Sequence, residues 1–102
     1  MVIKWEITSI EDLKEFKKYS KISNINQYIS KMVRYVDELA DKPRLGKIYL
    51  YTRRKIIRQL IYEKHRIFYY IDNDIIHIIS VIHHRQSIQD KVEFIKKNYK
   101  LF

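Results

Sequence analysis

The chain has 102 residues, 46% of them hydrophobic, which is enough for one domain (1–102) with a modest core and leaves no room for a second. Its 21 lysines and arginines against 12 acids give a formal net charge of +9, which points to a polyanionic partner: nucleic acid, an acidic protein segment or an anionic surface. Cysteine is absent, which excludes disulfide frameworks and thiol chemistry.

Other absences narrow the classes further. Gly46 and Pro43 are the single residues of their types, so Gly-rich phosphate loops are excluded and any phosphate must be held by side chains. The opening 1-MVIKWEITSIEDL-13 carries acids early and has no apolar core of a signal peptide. Nor does any run reach the roughly 18 apolar residues of a membrane span. A cytoplasmic protein without membrane contact is the expectation.

In chain order, 2-VIKWEI-7 alternates as a short strand. Thr8 and Glu11 match a capping box that opens a helix to about Tyr19, with Ile10, Leu13 and Phe16 on its apolar side. A second helix starts at Asn24 and carries Ile25, Tyr28, Ile29, Met32, Val36, Leu39 and Ala40 on one face, ending near Asp41 ahead of Pro43. The stretch 48-IYLYTRRKIIRQLIYE-63 is β-branched and aromatic and holds one or two strands. Two further strands, 65-HRIFYYID-72 and 75-IIHIISVIHHR-85, flank a tight turn, and 86–102 has the pattern of a final helix. The expected fold is α+β: an N-terminal strand and an α-helical hairpin packed on a mostly antiparallel sheet of about four strands.

The end of the last strand, 81-VIHHRQ-86, is unusual, because an isoleucine-rich strand needs no terminal cations to be buried. With a two-residue loop at Asn73 and Asp74, Arg66 lies opposite Val81 and shares a face with His83 and Arg85. A three-residue loop sends Arg66 and Arg85 to opposite faces. His83 and His84, as neighbours on a strand, face opposite ways. Arg53, Arg54, Lys55 and Arg58 extend the positive charge and interleave with tyrosines, Tyr70 among them. Guanidiniums clamp phosphate and tyrosine rings stack on bases, so Arg54, Lys55, Arg58 and Tyr70 are candidates for binding nucleic acid or another target. The same pattern also suits a solvated basic edge strand that resists aggregation. His77, inside an isoleucine run, reads as a hydrogen-bonded sheet histidine. No paired His/Cys spacing suggests a metal site, and no cofactor is implied.

R58-Q-L60, H65-R-I-F-Y-Y-I71 and D74-x-I-x-I-I-S-V-I-H83-H-R-Q86, after a β-α-α start with W5 and E11-D-L13, resemble the RelE/ParE superfamily of type II toxin–antitoxin toxins. The 43-PRLG-46 segment is similar to that family's P-x-x-G turn. The RelE-like branch implies a metal-independent endoribonuclease acting on mRNA in the ribosome. Arg66 and Arg85 would then be phosphate clamps and His83 or His84 the acid or base. The tyrosine-bearing segment of that branch is missing from 87-SIQDKVE-93. The ParE-like branch implies a non-enzymatic poison of DNA gyrase, and 81-VIHHRQ-86 is closer to its V-x-H-x-R form. Both imply a cognate antitoxin with an acidic, partly disordered segment. A non-toxic basic nucleic-acid-binding module is the alternative of a different class.

Overall fold

The computed structural model describes residues 1–99. Strand β1 (Val2–Trp5) leads into helices α1 (Ile7–Tyr19) and α2 (Ile25–Val36), the latter tightening into a 3₁₀ turn over Asp37–Ala40. Strands β2 (Lys47–Tyr51), β3 (Ile56–Tyr62), β4 (His65–Asp72) and β5 (Ile75–His83) follow, and helix α3 spans Ile88–Tyr99. The sheet has five strands in the order β1-β5-β4-β3-β2, antiparallel except for the β1–β5 pair. The α+β expectation holds; the 48–63 stretch supplies two strands around a turn, and β1 completes the fifth. Among the described residues no helix is long and apolar enough to cross a membrane.

Strand alternation divides the core. Ile67, Tyr69, Ile76, Ile78 and Val81 join Met32, Val36 and Leu39 under the helices. Phe68, Tyr70, Ile79, Ile82 and Ile57 form a second cluster on the opposite face. The α2 face read from the sequence is the buried one, since Met32 and Val36 are fully enclosed. Helix α1 differs. Its N-cap is Glu6 without a side-chain cap, so the Thr8–Glu11 box does not form. Ser9, not Ile10, is buried; its hydroxyl donates to the Glu6 carbonyl at 2.6 Å. Thr8 serves a different partner, the Ile79 carbonyl, at 2.5 Å.

The loop at Asn73 and Asp74 has two residues, both in the left-handed region (φ 51° and 62°), the conformation of a tight hairpin turn. The register nevertheless departs from the simple pairing. Tyr69 faces Ile78 but Phe68 faces Ser80, so Ile79 is an extra residue in β5, a β-bulge. Beyond it Arg66 lies opposite Ile82, not Val81. The bulge falls where β1 has ended and β5 would otherwise expose an unpaired edge. Helix α1 covers that edge: Glu6 N–H donates to the Ile78 carbonyl at 2.9 Å, and Asp12 Oδ2 accepts from Val81 N–H at 2.9 Å and Ser80 Oγ at 3.0 Å. Lys91 Nζ donates to the other Asp12 oxygen at 2.5 Å, tying α3 to the same carboxylate.

Asp12→Ala leaves Val81 N–H and the Ser80 hydroxyl without their acceptor, so urea unfolding is expected to lose about 2–3 kcal/mol. A change within about 0.5 kcal/mol, the range of an ordinary surface substitution, contradicts this assignment.

Candidate functional site

Two cationic regions emerge. The first is the end of the β4–β5 ribbon. Here β5 runs into a turn closed by Gln86, whose Oε1 accepts from His83 N–H at 2.6 Å and whose N–H donates to the His83 carbonyl at 2.9 Å, while His84 N–H makes a last bond to the Lys64 carbonyl at 2.7 Å. Arg85 therefore sits in an exposed turn beyond the sheet, and strand alternation does not govern it. Arg66 lies on the face of Phe68 and Ile82, while His83 lies on the helix face with Val81. The expected shared face of Arg66, His83 and Arg85 is thus broken, by the bulge for His83 and by the turn for Arg85. Arg66 instead donates to the His84 carbonyl at 3.4 Å. His83 and His84 do not diverge: with the strand ended, their rings lie 4.5 Å apart.

A residue that sequence reading passed over organises this end. His65 is buried beneath α1, with Phe16 edge-on at 4.4 Å and His83 perpendicular at 5.3 Å. Its Nδ1 is hydrogen-bonded to the Tyr28 hydroxyl at 2.8 Å, and its Nε2 is buried without a protein partner. Burial first, then the fields of His83 and His84, lower its pKa to about 4. The His83 pKa is lowered as well, by desolvation and then by His84, Arg85 and Lys64. His65, His83 and Phe16 line a cavity of about 350 Å³ with Asp12, Glu15 and Lys91.

The second region brings together three of the basic residues singled out in the sequence. Arg54, Lys55 and Arg58 line a cavity of about 520 Å³ with Arg44, which lies in the 43–46 turn and was not singled out. What fixes this wall is a latch at Tyr69. The tyrosine hydroxyl donates to the Pro43 carbonyl at 2.8 Å and accepts from Gly46 N–H at 2.9 Å, while Arg58 Nη1 donates to the Gly46 carbonyl at 2.8 Å. Gly46 packs so closely that a Cβ there would meet the Tyr69 ring and hydroxyl at 2.7 Å and the Gln59 carbonyl at 2.9 Å. Arg66 and Arg85 line neither cavity. Tyr70 also stands apart from the expected role. Its ring is 9% exposed and stacked on His77 at 4.6 Å, with Lys55 Nζ 5.9 Å from its centroid, so no face is open for a base. His77 in turn is bonded through Nδ1 to Glu6 at 2.8 Å.

The family model for the ParE toxin of the type II toxin–antitoxin system, parDE, matches residues 3–88. That match takes in the helical hairpin and all five strands save Val2 at the start of β1. The chain belongs to this family of toxins, and the family implies an antitoxin partner. No curated protein matches the chain.

The depressed His65 pKa has a signed consequence for stability. As pH falls the unfolded chain takes up the proton near pH 6.5, whereas the folded one resists until about 4. His65 contributes fully above pH 6.5 and its contribution is lost progressively as pH falls toward 4. Over that window its effect on unfolding free energy reaches about 3 kcal/mol. NMR titration is expected to find its imidazole neutral at pH 5; protonation near pH 6.5 contradicts the assignment.

Proposed function

We propose that this protein is a cytoplasmic toxin that arrests growth by binding DNA gyrase, and that it is not a ribonuclease. The observation that carries this reading is the bulge in β5. Cleavage by an RNA 2′-OH needs a phosphate clamp and a proton donor converging on one phosphate. Here Arg66 has Ile61 and Ile82 as its cross-strand neighbours, and His83 lies across the sheet from it. Arg54, Lys55 and Arg58 are assigned as contact residues for the target, with Arg66 and Arg85 forming a second contact at the ribbon end. Tyr70 supports that surface from within. The antitoxin in this reading carries an acidic, partly disordered segment, and the net charge of +9 favours its docking.

Induced expression in a bacterial host is expected to stop growth with accumulation of gyrase–DNA breaks. An Arg54→Ala/Arg85→Ala variant, both positions being exposed, is expected to keep its thermal midpoint and lose most of the arrest. Ribosome-dependent mRNA cleavage without gyrase damage supports the RelE-like alternative and overturns this reading. Unimpaired growth supports a non-toxic basic nucleic-acid-binding module instead.

A further inference from the structure

The cavity of about 520 Å³ beside the 43–46 turn is lined by four permanent cations, Arg44, Arg54, Lys55 and Arg58, with Ile56 and Ile71 among its apolar walls. Among the described residues, no carboxylate and no aromatic ring lines it. Asp72 pairs with Lys55 at 2.9 Å from outside the lining. Cationic side chains gathered from the 43–46 turn and the 54–58 segment around so small a volume form a positive wall that a compact multivalent anion complements. Arg58 and Lys55 are held in place beforehand. Arg58 is pinned through one Nη to the Gly46 carbonyl, which leaves its other N–H groups to act as a fork, and Lys55 is steadied by Asp72. The Tyr69 latch fixes the wall between them, since Pro43 and Gly46 are bonded to the same hydroxyl.

We propose that this cavity is a binding site for a di- or triphosphate group. Phosphoryl groups in a short chain concentrate several charges in a volume this size and offer paired oxygens to each guanidinium. A nucleic-acid backbone carries one charge per nucleotide and spreads it along the strand. An acidic peptide needs several tethered side chains to deliver the same charge. The described lining offers cations and aliphatic walls, which suit the phosphates and not the group they are attached to. Inorganic polyphosphate and the phosphate tail of a nucleotide present the same chemistry to it. This inference is independent of the toxin reading, because its readout is binding to the purified protein.

Calorimetric titration of the full chain at fixed ionic strength, without divalent metal, tests it with inorganic tripolyphosphate, ATP, AMP and inorganic phosphate. Tripolyphosphate is expected to bind about tenfold or more tightly than AMP or phosphate. ATP matching tripolyphosphate identifies a nucleotide tail as an acceptable source; ATP binding as weakly as AMP restricts the site to free polyphosphate. Arg44→Ala/Arg54→Ala, at exposed positions, is expected to keep its unfolding midpoint and weaken tripolyphosphate binding by about tenfold or more. Lys17→Ala/Lys18→Ala removes the same charge from exposed positions of α1 and is expected to change binding less than about twofold. The proposal is overturned if tripolyphosphate binds no better than phosphate, or if the two double variants weaken it equally. Binding of a single-stranded oligonucleotide in the absence of tripolyphosphate binding also overturns it.

Discussion

One carboxylate, Asp12, determines how the two ends of this chain meet. It sits on the second turn of α1 and accepts from Val81 N–H and the Ser80 hydroxyl where β5 has lost its β1 neighbour. Thr8, one turn earlier, takes the Ile79 carbonyl of the same bulge. An edge strand left with unpaired polar groups is unstable and prone to pairing with other chains. Covering that edge with helix side chains lets β5 carry an extra residue there. The extra residue shifts everything beyond it by one position relative to β4, which puts Arg66 against Ile82 and turns His83 to the helix side. The chemistry available at the ribbon end thus follows from a helix–strand clamp several residues away.

A second constraint acts at the other side of the sheet. Tyr69 is fully buried, yet its hydroxyl is satisfied twice, by the Pro43 carbonyl and by Gly46 N–H. Burial raises its pKa, which keeps the hydroxyl protonated and able to donate. Gly46 is required there for space, because a side chain at that position would overlap the tyrosine and the Gln59 carbonyl. Its φ is not in the left-handed region, so the requirement is close approach and not backbone conformation. The latch brings Arg44 beside Arg58 and Lys55, turning scattered basic residues into a single walled cavity.

Much of this architecture is legible in the sequence, because hydrophobic period is a local signal. The α2 face, the two strands of the 65–83 hairpin and the tight turn between them follow from neighbouring residues, while the choice between a two- and a three-residue loop is decided only by the register. What was not legible depends on partners far along the chain. The bulge answers to Thr8 and Asp12, 71 and 69 positions from the atoms they bind, and no β5 residue announces it. Thr8 and Glu11 had the form of a capping box, yet Thr8 bonds the Ile79 carbonyl and the helix starts ahead of it. Tyr70 resembled a stacking platform until His77 and Lys55 were found to occupy its surroundings. Arg44 gained its place through the Tyr69 latch, 26 residues from Pro43. His65 could have been suspected, because a histidine opening a strand otherwise filled with apolar residues has to be buried with them.

The separation of Arg66 from His83 is the pivot on which a binding protein is distinguished from a nuclease in this fold. Cross-strand backbone NOEs in the isotopically labelled protein measure it directly. Contacts pairing Arg66 with Ile82 and His65 with His83 are the result this account predicts. Contacts pairing Arg66 with Val81 would place the arginine and His83 on one face and contradict it.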